Sequence, residues 1–467
     1  MLIWCEAAWL PDGIAREVLI EFDSTITRIA VDVVAPPGVP RRAGLTIPGL
    51  ANVHSHAFHR ALRGRTHAER GSFWTWRELM YKVAARLDPD SYFQLARATY
   101  AEMALAGITS VGEFHYLHRA PGGVAYRDPN AMAEALIAAA AEAGIRITLL
   151  DTLYLTASVD GEPLAGPQLR FSDGSLDAWS ARHDLLPRFA ANGGLGARND
   201  HALLQNVAGD VGGDQDRRNS SRGGPQHLRV GAALHSVRAV PAELMRPFAE
   251  RTAGQPVHVH LSEQRAENEA CLVVHGCTPT ELLDRHGVLS PQLTAVHATH
   301  LTPADIKLLS SGYACFCPTT ERDLGDGIGP AGALAEAGVR LNLGSDSHAV
   351  IDLLEEARAL ELHERLATER RGHFAAADLL AAATVTGHAA LGWDDAGHLA
   401  VGQRADLVTL SLESPRTAGI DPEGVLFAAS AADITHVVAD GREIVADGRH
   451  ATVDVPRELR EAITCLF

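Results

Sequence analysis

With 467 residues, 46% of them hydrophobic, the chain is long enough for one large domain and a smaller one. A formal net charge of −17 argues against nucleic acid or an anionic membrane surface as partner, and no apolar run approaches the length of a bilayer span. The six cysteines are scattered, and Cys315 and Cys317 alternate along an apolar run instead of forming a CxxC pair, so they read as reduced core thiols of a cytoplasmic protein.

The opening, MLIWCEAAWLPDG, carries Glu6 and no basic leader, and does not read as a secretory signal. Residues 1–48 are built of short β-like runs. From there, strand-like runs recur at LTIPGLANV (45–53), TSVGEF (109–114), RITLLDTLYL (146–155), LRVGAALHS (228–236), PVHVHLSE (256–263), TAVHATHL (294–301), YACFCPT (313–319) and VRLNLGSDS (339–347). Alanine- and leucine-rich segments with helical spacing lie between most of them, as in SYFQLARATYAEMALAG and AMAEALIAAAAEAGI. Strand and helix alternate eight times, which predicts a (β/α)8 TIM barrel over 49–397. A doubly wound open sheet is the alternative, but no GxGxxG follows any of the strands. Residues 196–227 are polar, glycine-rich and aperiodic, and read as a long mobile insertion, which makes His201 and His227 poor ligand candidates. The last stretch, 398–467, returns to short β runs such as ADLVTLSL. Neither end can bury a core alone, so 1–48 and 398–467 are expected to pair into one small β-sandwich domain.

In such a barrel the active site lies at the C-terminal ends of the strands. His54 and His56 close the first strand one residue apart, so the period of two points both into the barrel mouth. A lone HxH is weak evidence. The other strand ends strengthen it: His235 with Arg238 after the fourth, His258, His260 and Glu263 at the fifth, His297 and His300 at the sixth, Asp346 and His348 at the eighth. Imidazole and carboxylate at so many strand ends predict a metal site, against the plainer reading of polar barrel packing. Neutral imidazoles with one carboxylate suit zinc first, iron or manganese next, and leave a position for a water whose pKa the ion lowers. A second ion would need a bridging ligand, commonly a carboxylated lysine on the fourth strand. The chain has only Lys82 and Lys307, neither near a strand end, so one divalent ion per chain is expected.

These motifs resemble the amidohydrolase superfamily: HxH after a PGL.N.H run, histidine-x-x-glutamate on strand five, histidine on strand six and GSD on strand eight. The resemblance implies that His54, His56, His260 and Asp346 hold the metal. His297 and Asp346 would orient and deprotonate the water, and Glu263 would carry protons to the leaving nitrogen. A narrower resemblance, covering most of the barrel, is to the formimidoylglutamate deiminase family of histidine degradation. It rests on VHSHAFHRALRG, FWTWRELMY, GEFHYLH, HSVRAV, HLSEQ and GSDSH, in that order. It implies hydrolysis of N-formimidoyl-L-glutamate to N-formyl-L-glutamate and ammonia, with Arg77, Tyr116, His235 and Arg238 binding the two carboxylates. His59 stands where that family commonly has glutamine, and the 196–227 insertion is a second departure. Related barrels are often homodimers, and a homodimer is expected here.

The residues point the same way without the family. A dicarboxylate needs two cationic anchors, and the planar fork of arginine suits a carboxylate. Arg77 lies in an aromatic stretch after strand one that would form a lid, and Arg238 opens the loop after strand four. Read alone, the first is aromatic packing and the second a surface arginine. The acidic net charge governs long-range steering, whereas a few arginines dominate inside a low-dielectric cleft. A ligand histidine usually passes its second N–H to a neighbour, a role open to His258, His300 and His348, each equally explained as a core histidine. The competing functions are a nucleobase or triazine aminohydrolase, an imidazolonepropionate hydrolase and, remotely, a non-catalytic scaffold.

Overall fold

The computed structural model describes residues 1–66, 73–188 and 227–467. All but the last residue of the 196–227 insertion, His201 included, lies outside them, whereas His227 leads directly into a barrel strand, its carbonyl accepting from the Ile147 amide. Sixteen strands form two eight-stranded sheets among the described residues.

The first sheet is the barrel: β5 (Leu50–Ser55), β6 (Ile108–His115), β7 (Arg146–Leu153), β8 (Leu228–Leu234), β9 (Val257–Leu261), β10 (Leu293–His297), β11 (Tyr313–Phe316) and β12 (Arg340–Leu343). They pair in sequence order and all in parallel. Each expected strand is present. Most are buried on both faces, as parallel strands between a filled interior and outer helices must be. The barrel closes between β5 and the chain just past β12, where the Asp346 amide donates to the His54 carbonyl (3.0 Å) and the His56 amide to the Asp346 carbonyl (3.2 Å). Gly344 is required at this seam. A Cβ there would lie 2.8 Å from His54 Cβ and 2.9 Å from its carbonyl oxygen.

Helices cover the outside. Two matter for the site: α1 (Phe73–Arg86) and α2 (Pro89–Leu105). The second begins with Asp88 and Ser91 in a reciprocal capping box and Pro89 in its first turn. The alanine-rich helix Ala131–Ala143 ends on Gly144 at φ 80°.

The second sheet pairs the two chain ends, with β1 (Leu2–Leu10), β2 (Gly13–Phe22), β3 (Ile26–Ala30) and β4 (Arg41–Pro48) from one and β13 (Leu407–Leu410), β14 (Ile434–Ala439), β15 (Arg442–Ala446) and β16 (Arg449–His450) from the other. Its order is β16-β15-β14-β13-β4-β1-β2-β3, with β1 and β4 parallel and the remaining neighbours antiparallel. The sheet folds over a core of its own that includes Ile3, Val18, Ile20, Phe22, Leu407 and Val438. A Thr25–Arg404 bridge ties its β3 edge to the approach to β13. One predicted strand divides. LTIPGLANV supplies the end of β4 and the start of β5, in different sheets, with Gly49 as the crossing point. A Cβ at Gly49 would meet Thr109 Oγ1 at 2.4 Å and Asp406 Cβ at 2.7 Å. The final helix, Val455–Thr464, packs on α2, where Arg97 pairs with Glu458. No helix among the described residues is long and apolar enough to cross a membrane.

Candidate metal centre and its cavity

His54 is on β5, His56 immediately follows it, His260 is on β9 and Asp346 stands at the closure seam. One side-chain donor atom of each lies within 4.8 Å of all the others. His54 Nε2 is 3.2 Å from His56 Nε2 and 3.1 Å from His260 Nε2, and Asp346 Oδ1 is 3.4–3.5 Å from the first two. His56 Nδ1–H donates to the Phe114 carbonyl and His260 Nδ1–H to the His235 carbonyl, each at 3.0 Å. Those bonds assign the tautomers, so two Nε2 lone pairs and a carboxylate oxygen converge on one point. Such a convergence is repulsive unless a cation occupies it, and the donor set fits a divalent ion. Burial, with neighbouring His54 adding to it, pushes His56 down to about 3, so the ring is neutral. Against the upward push of burial, the His54 hydrogen bond and nearby His297 hold Asp346 well below the usual carboxylate range.

Around this cluster the backbone is held in left-handed conformations at Ser262 (φ 51°), His297 (φ 68°), Ala298 (φ 49°), Asp346 (φ 41°) and His348 (φ 59°). Non-glycine residues rarely adopt that region, and several together mark a site the surrounding fold over-determines. His297 Nε2 faces Glu263 Oε1 at 3.9 Å and Asp346 Oδ2 at 3.8 Å, and its Nδ1 faces Glu321 Oε1 at 3.4 Å. The Cys317 amide pins that Glu321 oxygen at 2.9 Å. Although burial opposes it, the carboxylates of Glu263, Asp346 and Glu321 raise His297 well above the ordinary histidine range. Burial raises the Glu263 carboxyl above its ordinary value, against the pull of His297 and Arg238.

The cavity above the cluster encloses about 610 Å³ including its open mouth. His56, His59, Arg77, Tyr116, His235, Arg238, His260, Glu263, His297 and Asp346 all line it, so every residue singled out from the sequence as catalytic, metal-holding or substrate-binding is brought to one place except His54, buried just beneath. The FWTWRELMY stretch is the start of α1. Trp76, Arg77, Met80 and Tyr81 face the cavity at helical spacing, and the Arg77 guanidinium lies 5.6 Å from the Tyr81 ring centroid. His59 Nε2 is 2.9 Å from the Tyr116 hydroxyl. Arg238 Nε donates to Glu267 at 2.7 Å.

Sequence reasoning missed several contributors. Tyr154 follows β7 at a barrel-strand end, a position that carried the signal. Phe171 comes from the short 3-10 turn Gly166–Phe171 in a long loop, and no local pattern announces it. Glu113 was also missed. Its two oxygens accept from the Ala57 amide and the Ser55 hydroxyl, each at 2.7 Å, which clamps the backbone around His56, and burial raises the carboxyl to about 7. Of the three candidate supporting histidines, His348 bonds Ser345 Oγ (2.9 Å) and Ser55 Oγ (3.2 Å) behind the seam. His258 lies deeper on β9, its ring stacked 6.4 Å from that of His54, and half-buried His300 lies beside Gly327. The Nδ1 partners of His56 and His260 are main-chain carbonyls instead. A second imidazole–carboxylate group, His115, His118 and Asp151, is occupied by Arg182, whose guanidinium is 2.7 Å from Asp151 and 3.3 Å from His118 Nε2. That cation takes the place a metal would need.

The model of the amidohydrolase family matches residues 45–444. Formimidoylglutamate deiminase of Pseudomonas aeruginosa is 37% identical over 468 residues, covering 96% of this chain and 95% of that protein. A 5-methylthioadenosine/S-adenosylhomocysteine deaminase of Natronomonas pharaonis is 27% identical, covering 90% of this chain and 85% of its own. Among solved structures, an amidohydrolase from Brucella melitensis superposes with a TM-score of 0.85 at 30% identity, over 100% of this chain and 99% of that one.

Proposed function

Because the chain belongs to the amidohydrolase family and is a hydrolase of carbon–nitrogen bonds, we propose that it hydrolyses N-formimidoyl-L-glutamate to N-formyl-L-glutamate and ammonia, a step of histidine degradation. The observation that carries this reading is that Arg77 and Arg238 line the same cavity as the donor cluster. Two guanidinium groups there suit a substrate with two carboxylates, and the extensive likeness to a formimidoylglutamate deiminase supports that choice over a purine.

His54, His56, His260 and Asp346 would hold one divalent ion, zinc first by the chemistry of the donors. When bound, the ion supplies Lewis acidity, lowering the pKa of water. Arg77 and Arg238 hold the carboxylates, and Tyr116, His59 and His235 complete the polar wall, so that the formimidoyl carbon faces Glu263 and His297. Glu263 accepts a proton from the attacking water and returns it to the terminal amidine nitrogen. It then carries the second proton from the hydroxyl of the tetrahedral adduct to the same nitrogen, so that the C–N bond breaks and ammonia departs. The oxygen stays on carbon as the formyl group. His297, turned by Glu321, presents Nε2 to the same centre and with Asp346 orients the water. Of the six cysteines expected to be core thiols, five are buried and Cys465 is exposed.

The experiment is product analysis. Zinc-loaded protein given N-formimidoyl-L-glutamate should release ammonia and N-formyl-L-glutamate in equal amounts. Imidazolonepropionate hydrolysis without ammonia would assign the chain to a neighbouring reaction instead.

A further inference from the structure

Glu267 stands outside the reacting centre, yet it touches the specificity wall. A second chamber, lined by Ala157, Val159, Ala270 and Glu267, adjoins the cavity, and the two share Arg77 and Arg238. Glu267 is 4% exposed. One oxygen accepts from the Ser262 amide at 3.0 Å, in the left-handed turn that carries Glu263. The other accepts from Arg238 Nε at 2.7 Å. The main chain thus aims a buried charge at the guanidinium from its outer side. Binding through Nε leaves the Nη1–Nη2 edge for a second carboxylate, and among the described residues Arg238 makes no other side-chain hydrogen bond.

We infer that Glu267 is the positioning residue of the carboxylate anchor: it holds Arg238 by Nε so that the guanidinium edge meets substrate and stays off Glu263. This rests on the proposed substrate. Arg238 and Glu263 already act on one another electrostatically. Without Glu267 the guanidinium has that second carboxylate within its field, and turning toward it would both remove the anchor and occupy the proton shuttle. A purely structural role in the first turn of the helix Arg265–His275 explains the Ser262 bond but not the Arg238 bond.

The test compares kcat/KM for N-formimidoyl-L-glutamate and for N-butylformamidine, which has no carboxylate, in zinc-loaded wild type, Glu267→Gln, Arg238→Met and the double variant. Glutamine keeps an acceptor for Ser262 but cannot hold Arg238 by charge. Glu267→Gln is expected to lower the selectivity ratio about 10- to 100-fold and to cost less than about twofold more once Arg238 is methionine. Equal losses on both substrates, or the same loss with and without Arg238, would overturn the inference. Should that variant fail to fold, Glu267→Asp carries the comparison: a carboxylate one methylene shorter should lower the ratio severalfold, and an unchanged ratio overturns the inference. A readout without substrate is the Nε–H resonance of Arg238 in ¹⁵N-labelled protein. It should be exchange-protected in wild type and lost in Glu267→Gln, and its absence from wild type overturns the inference. A protected resonance in a protein that does not turn over formimidoylglutamate would retain the positioning role and refute the substrate.

Discussion

Glu263 and His260 are three residues apart on one strand end, and their surroundings set them apart. His260 turns its ring into the donor cluster and is tethered by the His235 carbonyl, whereas Glu263 faces His297 across 3.9 Å. Glu263→Gln should therefore keep near-normal metal content while losing about 10²–10⁴-fold in turnover. His260→Ala should lose the metal itself, and elemental analysis alongside turnover checks both. Arg77→Met and Arg238→Met should each cost about 2–5 kcal/mol, roughly 30- to several-thousand-fold in kcat/KM for a dicarboxylate. Silence of both variants would leave the substrate without its anchors. The ring nitrogens were legible because they sit at strand ends, where the period of two and the barrel rule locate them. Arg77, on α1, and Arg238, in the loop after β8, stood out instead through the family resemblance and the need of a dicarboxylate for two cations. Glu113, Glu321 and Glu267 were not, because each acts through a backbone amide or a side chain that only the folded loops bring near.

Elements were legible where period and length agree, and least so where an apolar run continues across a change of sheet. The junction of β4 and β5 is such a case: LTIPGLANV reads as one strand, and only the closeness of Thr109 and Asp406 shows why it must turn at Gly49. His388 supports the same junction, its Nε2–H donating to the Gly49 carbonyl at 3.1 Å. Burial, with Arg146 adding to it, pushes His388 down to about 4. An imidazole depressed in the folded state contributes full stability above its unfolded pKa of about 6.5 and loses it as pH falls toward 4. The loss should reach about 3 kcal/mol. Denaturant unfolding at pH 7.5 and pH 5 should show this slope in wild type and a shallower one in His388→Gln, and equal slopes would contradict the assignment.

At the scale of the whole molecule, the barrel and the second sheet are joined through buried charge. Arg146 opens β7 with its side chain 1% exposed, and it pairs with Asp406 just before β13 and with Asp440 beyond β14. Arg146→Met leaves two carboxylates short of a partner and should cost about 3–5 kcal/mol in denaturant unfolding. The pairing of the two chain ends was legible because neither can bury a core alone. This ion-paired seam was not, since its members lie 260 or more positions apart in sequence. Both sheets serve one outcome, a barrel mouth that brings four donors, Glu263 and two guanidinium groups around one cavity. The most direct measurement of what that mouth selects is the ratio of kcat/KM for N-formimidoyl-L-glutamate to that for 5-methylthioadenosine, in the same zinc-loaded preparation. On the proposed function each arginine would contribute about 2–5 kcal/mol that a neutral purine nucleoside cannot draw on, so the ratio should exceed about 10³. A ratio at or below one would contradict the account and make the chain a nucleoside deaminase.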